Sequence, residues 1–458
     1  MTTQNTDYLV IGAGAMGMAF ADVLMTESDA TITIVDRYHQ PGGHWNMAYP
    51  FVRLHQPSSF YGVNSRQLGN NRIDTIGLNE GLYELAGKGE ICAYYDGLMH
   101  DFISSGRVQY FPMSEYNVAG KITSLVSGES RTIDAKKIVD ATFMNVQVPS
   151  MAGPVYTVAE EVTCVPPNGL VESHGQWRDY VIVGAGKTSF DASLFLLENG
   201  VDPKRICWIK PRESWLWDRA RAQAEDLFET SIRSFSTGQI TSIAASTSAE
   251  DLFARAEEEG LMLRIDTEVK PTMFRCATVT NSEIKELRRI KNVVRLGRVQ
   301  RIEREQVILD EGSFSYGPQT LFVDCTADGL ARRTAQPVFD ADRITLQAVR
   351  TCQQVFSAAF IAHIELGEQD VADKNLLCTP VPHPDTDMDY LRNTLADLVN
   401  GVAWSQNDSL QAWLKASRLD GFSSSTSSSA ESDAAFQMNM EKYGPVAAEK
   451  LMQYLQEA

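Results

Sequence analysis

Residues 8–17 read YLVIGAGAMG, a short apolar run that enters a glycine-rich segment, and residues 180–189 repeat the pattern as YVIVGAGKTS. A strand that runs through glycines into a helix is typical of the loop that holds the phosphates of a dinucleotide. Each stretch is followed, about 130 to 140 residues later, by another apolar run that ends in small polar residues, at 137–142 and 321–326. We therefore predict that one α/β unit occurs twice in the chain.

The first loop carries the full GxGxxG pattern at Gly12, Gly14 and Gly17. Glycine is needed there because a side chain would block the turn and the approach of the backbone to a pyrophosphate. Asp36 ends the next apolar run, 19 residues after Gly17, where a carboxylate can accept hydrogen bonds from ribose hydroxyls. Together these residues predict a dinucleotide site, whereas the glycines alone would also suit a structural turn.

The second loop differs from the first at the third glycine and at the end of the next strand. Gly184 and Gly186 match the first two glycines, and Ser189 stands in the third place, where a small side chain still fits a helix–strand contact. The following apolar run leads into Lys210 and Arg212 rather than into an acid. These cations would attract a ribose 2′-phosphate, so the pattern favours NADPH over NADH. The alternative is that both side chains are simply solvated.

The composition is that of a folded, enzyme-sized globular chain and argues against several kinds of partner. A net charge of −18 without a dense Lys/Arg cluster disfavours binding to nucleic acid or to anionic membranes. The chain shows no signal-peptide pattern and no apolar run of about 18 residues, so we expect a cytoplasmic protein. The seven cysteines are widely spaced and form no CxxC pair, so we expect neither a metal site nor a redox disulfide.

The segment after Asp36 indicates which nucleotide the first loop binds. Residues 42–45 read GGHW and residues 49–58 read YPFVRLHQPS. These stretches resemble the GGxW and YPxxRxxxPS segments of the flavin-containing and Baeyer-Villiger monooxygenases. The resemblance implies that the first loop binds FAD with Gly43 and Trp45 beside it, and that Thr142 stands at a strand end similar to the family's ATG. A surface turn rich in glycine and proline is the alternative.

The resemblance covers residues 7–330 and implies a reaction. NADPH would reduce bound FAD, O₂ would add to the reduced flavin, and the peroxyflavin would oxygenate a small organic substrate at a heteroatom or at carbon. Arg53 and His55 lie in the segment that resembles the family's flavin-facing loop, and Asn64 resembles the asparagine of heteroatom-oxygenating members. Baeyer-Villiger enzymes have an acidic residue in the slot of His55, so ketone-to-ester chemistry loses support. Structural roles for His55 and Asn64 are the alternative.

The expected fold is α/β, with two Rossmann-like dinucleotide-binding domains of the glutathione-reductase-like type and a helical C-terminal segment. We expect a discontinuous FAD domain at 1–165 and 320–420, and an NADPH domain at 175–318 with a helical elaboration around 220–260. A serine-rich tether and a terminal helix are expected at 421–458.

Two other functions fit the same motifs. One is an FAD-dependent NADPH reductase or dehydrogenase that does not oxygenate its substrate, although the lack of a CxxC pair argues against a disulfide reductase. The other is a non-catalytic nucleotide-sensing protein that uses the fold for interactions. The substrate and the oligomeric state stay open at this point.

Overall fold

The fold is described from a computed structural model, which covers residues 3–117, 120–173, 175–367, 370–422 and 429–457. Within these described residues the chain alternates strands and helices through its first two thirds and is mainly helical after that. No helix in the described part of the chain combines the length and the apolar character that crossing a membrane requires.

The bounds of the elements follow the chain order. The helices are α1 (Ala15–Glu27), α2 (Lys88–Ser104), α3 (Pro167–Ser173), α4 (Lys187–Glu198), α5 (Ser234–Ala245), α6 (Ala249–Glu258), α7 (Asn281–Leu287), α8 (Gln354–Leu366), α9 (Val371–Leu377), α10 (Asp387–Ser405), α11 (Asp408–Ala416) and α12 (Ala430–Glu457). The strands are β1 (Thr3–Ile11), β2 (Ile32–Val35), β3 (Val108–Phe111), β4 (Ser114–Asn117), β5 (Lys121–Ser124), β6 (Ser130–Asp140), β7 (Thr157–Val158), β8 (Cys164–Val165), β9 (Asp179–Val183), β10 (Ile206–Ile209), β11 (Ser214–Asp218), β12 (Met262–Leu263), β13 (Met273–Val279), β14 (Asn292–Val294), β15 (Val299–Ile302), β16 (Gln306–Leu309), β17 (Gly312–Ser315), β18 (Thr320–Asp324), β19 (Phe339–Asp340) and β20 (Arg343–Thr345).

The first sheet has the strand order β19-β20-β6-β1-β2-β3. β1 lies between β6 and β2 and is parallel to both, so that Val10 is paired with Val139 on one side and Ile34 on the other. These three side chains lie on the face of the sheet that the helices cover, whereas Leu9 and Val35 on the other face pack against β5 and β6. α1 connects β1 to β2 and packs against α8, where Phe20 and Phe360 are fully buried. These strands and helices confirm the α/β class.

The second sheet, with the order β14-β10-β9-β18-β8, repeats the arrangement around β1. β9 lies between β18 and β10 and is parallel to both, as β1 is to β6 and β2. The antiparallel strands β15, β16 and β17 precede β18, and the hairpin of β4 and β5 precedes β6 in the same way. The strand order is therefore duplicated, as the two glycine motifs predict.

The strand pairing places two short strands differently from the expected domain limits. β8 and β18 both belong to the second sheet, so that sheet begins before residue 175 and ends after residue 318. The duplication gives the physical reason: β18 pairs with β9 exactly where β6 pairs with β1. A short apolar run does not reveal from its own residues which sheet it will join.

The second unit carries two helices, α5 and α6, within residues 220–260. α5 and α6 pack with the small sheet β12-β11-β13, and α10 and α12 cover the same apolar cluster. Phe253 from α6, Tyr390 from α10 and Leu451 from α12 meet in that cluster. α12 matches the predicted terminal helix, whereas residues 423–428 of the serine-rich stretch lie outside the described residues.

The tight contact inside the first loop gives a stability prediction. Gly17→Ala should lower the free energy of unfolding by about 1–3 kcal/mol, because the loop must shift to accommodate the methyl group. That methyl group would lie 2.0 Å from the carbonyl oxygen of Gly12. Gly97→Ala in α2 is the matched control, since the added methyl meets no described atom within 4 Å beyond the backbone of its own helix, and it should raise the stability by about 0.5–1 kcal/mol. Urea unfolding measures both, and an unchanged midpoint for Gly17→Ala would contradict the contact.

Candidate functional site

A cleft of about 680 Å³ lies between the two units. Gly12 and Gly14 of the first loop line it on one side, and Lys187 and Asp191 of α4 line it on the other. A cavity of this size at the carboxyl ends of parallel strands is the usual place for a ligand in an α/β protein. The first glycine loop therefore lines the cavity itself, and the helix that follows the second loop lines its opposite side.

The first loop is shaped by close backbone contacts. Gly12 has φ of 105°, a conformation that glycine adopts without steric cost. A Cβ on Gly43 would lie 3.0 Å from the Cα of Gly14, so these two segments touch through their backbones. Gly14 caps α1 without a side-chain hydrogen bond, which leaves amide groups of the first turn for an anion. The predicted glycines therefore form a cradle that side chains would fill.

Asp36 ends β2 beside this loop and is 7% exposed. Its Oδ2 accepts a hydrogen bond from the Ala13 amide at 2.5 Å, and its Oδ1 accepts one from the Tyr38 amide at 2.8 Å. Burial raises the pKa of Asp36, opposed by these two hydrogen bonds. Each carboxylate oxygen can accept a second hydrogen bond, so Asp36 can both fix the loop and contact a ribose.

The predicted residues Trp45 and Thr142 also line the cleft. Trp45 is buried and its Nε1 donates a hydrogen bond to Tyr61 Oη at 2.7 Å. Thr142 donates from its amide and its hydroxyl to Asp140 Oδ1, at 2.9 and 2.7 Å. Its methyl group would lie 3.2 Å from a Cβ on Gly12, so the end of β6 closes against the loop.

The second loop repeats this construction. Gly184 has φ of 135°, and a Cβ there would lie 2.6 Å from the carbonyl oxygen of Cys325. Thr326 donates from its amide and hydroxyl to Asp324, as Thr142 does to Asp140. Ser189, in the place of the third glycine, is fully buried and donates a hydrogen bond to the carbonyl oxygen of Gly186 at 2.7 Å.

Lys210 and Arg212 follow the second loop's strand but already have partners within the protein. Lys210 is 2% exposed and its Nζ lies 2.6 Å from Glu213 Oε2. Arg212 is half-buried and its Nη2 lies 2.8 Å from Asp385 Oδ1. Neither side chain is therefore simply solvated. Arg212 is the more accessible of the two, so it is better placed than the enclosed Lys210 to contact a 2′-phosphate.

His55 lines the cleft as a neutral imidazole. Its Nδ1 accepts a hydrogen bond from the Thr278 amide at 3.2 Å, so the ring proton is on Nε2. Burial, followed by the charges of Lys187 and Arg219, lowers the pKa of His55 to about 3. The Nε2–H group is therefore the one that a ligand can use, as a hydrogen-bond donor.

Arg53 and Asn64 are placed less centrally than His55. Arg53 lines the rim of the cleft, is more than half exposed, and donates from Nε to the carbonyl oxygen of Leu85 at 3.1 Å. Asn64 does not line the cleft; its Oδ1 accepts a hydrogen bond from Ser417 Oγ at 3.0 Å. Its contact with a flavin adduct stays a prediction, since the hydrogen bond from Ser417 uses only the amide oxygen.

A polar cluster that the sequence motifs did not predict crosses the cleft. Tyr49 Oη donates to Asp191 Oδ2 at 2.7 Å, and the same carboxylate forms an ion pair with Lys187. Lys187 follows directly after Gly186, and Asp191 stands four residues further along α4. That i, i+4 spacing was the available signal, since it puts both side chains on one helix face.

A disulfide between Cys276 and Cys352, which the spacing of the cysteines did not predict, also lines the cleft. The two cysteines are separated by 76 residues, so only the fold brings them together. His383 lies beside the disulfide, with its Nδ1 4.0 Å from Cys352 Sγ. Among the described residues no cluster of three or more His, Cys, Asp or Glu side chains is arranged to hold a metal ion.

The protonation state of His55 is directly measurable. In protein labelled with ¹⁵N-histidine, the His55 ring should remain neutral and protonated on Nε2 at pH 5, because its pKa is lowered to about 3. A His55→Gln spectrum assigns the signal by its loss. A doubly protonated His55 ring at pH 5 would contradict the buried environment.

No family model matches the chain. Uncharacterized protein Rv2000 of Mycobacterium tuberculosis is 54% identical over 419 residues, which is 91% of this chain and 78% of that protein. A crystal structure of epsilon-caprolactone-bound cyclohexanone monooxygenase matches 97% of this chain and 99% of its own, with a TM-score of 0.51 and 14% identity. The flavin-containing monooxygenase from Stenotrophomonas maltophilia matches 90% of this chain and 99% of its own, with a TM-score of 0.42 and 13% identity.

The structural likeness extends over most of the chain at low sequence identity, so it concerns the fold. The sequence likeness to the mycobacterial protein is much stronger and also spans most of both chains. This protein therefore has the fold of cyclohexanone monooxygenase and belongs to the family of the mycobacterial protein Rv2000.

Proposed function

We propose that this protein is an FAD-containing, NADPH-dependent monooxygenase that uses O₂ to oxygenate a small organic substrate. The observation that carries the proposal is the single cleft lined by the first glycine loop and by the start of α4, directly after the second loop. Two nucleotides held at these loops would extend toward each other in one cavity. Hydride transfer between two cofactors needs such a shared cavity.

FAD fits the first loop because the loop offers what a flavin dinucleotide needs. The amides at the start of α1 suit the pyrophosphate, and the contact between Gly14 and Gly43 keeps side chains out of its path. Asp36 suits the ribose of the adenosine half, since it has remaining acceptor capacity. Bound FAD would supply the redox chemistry with hydride and with O₂.

NADPH fits the second unit for complementary reasons. The strand that corresponds to β2 is β10, and Lys210 follows β10 where Asp36 follows β2. The nearby acid Glu213 is buried between Lys210 and Arg295, with its oxygens 2.6 and 2.7 Å from them. Because two cations neutralise Glu213, its carboxylate would not repel a 2′-phosphate. Arg212 would attract the phosphate.

The chain's own polar groups would orient the reactants in the cleft. His55 would donate a hydrogen bond from Nε2, and its low basicity keeps it from taking up a proton at neutral pH. Tyr49 would remain protonated, because burial and the neighbouring Asp191 raise its pKa well above the usual range. Its proton is donated to Asp191, so its oxygen would serve the reactants as an acceptor. Lys187, paired with Asp191, would place a positive charge beside developing negative charge. Closing the cleft around these groups would exclude water.

The decisive experiment is anaerobic mixing of the purified holoprotein with NADPH, followed by admission of O₂. We expect NADPH to bleach the oxidised-flavin band, and O₂ then to produce a long-lived species whose spectrum differs from those of oxidised and reduced flavin. Immediate return of the oxidised spectrum would favour a reductase instead. A protein that cannot be loaded with FAD would refute the proposal and favour a nucleotide-sensing role.

The preference for NADPH can be tested separately at Arg212. Arg212→Ala should lower the ratio of kcat/KM for NADPH over NADH about tenfold, since a charge-assisted hydrogen bond contributes about 1.5–3 kcal/mol. Asp385 retains Arg275 and Arg332 as partners, so the fold should tolerate the change. Arg301→Ala, which removes an exposed side chain on β15 outside the cleft lining, is the matched control. An unchanged ratio in Arg212→Ala would exclude this residue from cofactor selection.

A reductase without oxygenation remains the second candidate, and one observation favours it. The disulfide Cys276–Cys352 lines the same cleft and offers an electron acceptor other than O₂. The spectrum after O₂ is admitted distinguishes the two functions.

A further inference from the structure

The disulfide joins two parts of the fold that face each other across the cleft. Cys276 lies on β13 in the small sheet of the second unit, and Cys352 lies between β20 of the first sheet and α8. Both cysteines line the cavity that Gly14 and Lys187 line from the two nucleotide loops. A reductant bound in this cavity would therefore share it with the disulfide.

The two sulfurs differ in access, as the partners of a reactive disulfide often do. Cys276 is 3% exposed, whereas Cys352 is half-buried. Cys352 is therefore the sulfur that a reactant in the cleft reaches, and Cys276 is the enclosed partner. His383, beside Cys352, is kept neutral at physiological pH because burial, helped by Arg275, lowers its pKa to about 4. A neutral ring can accept a hydrogen bond from the Cys352 thiol.

The backbone at both cysteines is unusual. Cys276 has φ of 56° and Cys352 has φ of 57°, which is the left-handed region that residues with a side chain seldom occupy. Such conformations persist only where the surrounding structure holds them, and they are concentrated at functional sites. The pair is thus held at the cleft wall by the fold of both units.

The remaining cysteines have no comparable setting. Cys207, Cys325 and Cys378 are buried, and Cys92 and Cys164 are half-buried and carry free thiols. Burial raises the pKa of Cys207 to about 12, which makes that thiol unreactive. Among the described residues, a sulfur pair at the cleft is found only at Cys276 and Cys352.

We propose that Cys276–Cys352 is a second redox centre of the cleft, which takes up an electron pair delivered by the cofactors bound there. The proposal rests on the proposed function for the source of electrons. In the balanced reaction, NADPH gives a hydride and solvent gives one proton. The S–S bond breaks, two S–H bonds form, and NADP⁺ leaves. The electron pair reaches Cys352 through the bound flavin, and both thiols remain in the cleft wall.

The test is an anaerobic reductive titration of the FAD-loaded protein with NADPH and, in a parallel arm, with dithionite. We expect wild-type protein to consume two equivalents per flavin, one for the flavin and one for the disulfide. The double variant Cys276→Ser, Cys352→Ser should consume one. Cys92→Ser with Cys164→Ser is the matched control, which removes two thiols, keeps the disulfide and should still consume two.

Alkylation in denaturant after each titration identifies the sulfurs by peptide mass. We expect label on Cys276 and Cys352 after reduction by NADPH, and none on either cysteine in untreated protein or in flavin-free protein given dithionite. Alkylation after dithiothreitol treatment of flavin-free protein should label both cysteines. This arm reports whether the disulfide is accessible without any cofactor. These results come from the wild-type chain, so they decide the proposal even if the serine variants do not fold.

The outcomes separate this inference from the proposed function. Flavin that is bleached by one equivalent of NADPH, with both cysteines unlabelled, would overturn the second redox centre and leave the proposed function intact. Flavin that ignores NADPH but takes two equivalents of dithionite, with both cysteines labelled, would support the redox centre and overturn the choice of NADPH. A disulfide that resists dithiothreitol in flavin-free protein would overturn its access from the cleft.

Discussion

Direct contact between backbones at the end of β1 is the constraint on which the rest of the site depends. The carbonyl oxygen of Gly12 lies where a side chain of residue 17 would be, and Gly14 touches Gly43. Because no side chain intervenes, α1 begins immediately at the end of the strand and directs its first amides into the cleft. The ends of β2 and β6 then meet the same point, which brings Asp36 and Thr142 beside the loop.

The duplicated unit uses one device twice and then departs from it. In each copy an aspartate at the end of the closing strand binds the amide and hydroxyl of the threonine two residues later, at Asp140 and at Asp324. The copies differ at the residue after the second strand of each unit, because a carboxylate follows β2 and a buried, ion-paired lysine follows β10. Similar backbones thus carry side chains of opposite charge at this position.

The sequence predicted the parts of the site that depend on local backbone geometry. The glycines, the strand ends and the α/β repeat follow from requirements within a few residues of each motif. The partners of side chains did not follow, because they come from remote segments: Asn64 is held by Ser417 and Arg212 by Asp385. The disulfide was missed for the same reason, since its cysteines are 76 residues apart and carry no local pattern. Strand membership at β8 and β18 required knowledge of the neighbouring strands.

The cover that α12 provides has a consequence for the order of folding during synthesis. Leu451 and Tyr454 complete an apolar cluster whose other members, such as Phe253 and Phe274, belong to the second unit. Tyr454 Oη also lies 3.0 Å from Ser246 Oγ at the end of α5. The ribosome makes α12 after every element that it covers, so the nascent second unit waits with part of its apolar surface exposed to water. A chaperone that binds apolar segments could bind this uncovered surface of the second unit until α12 has been made.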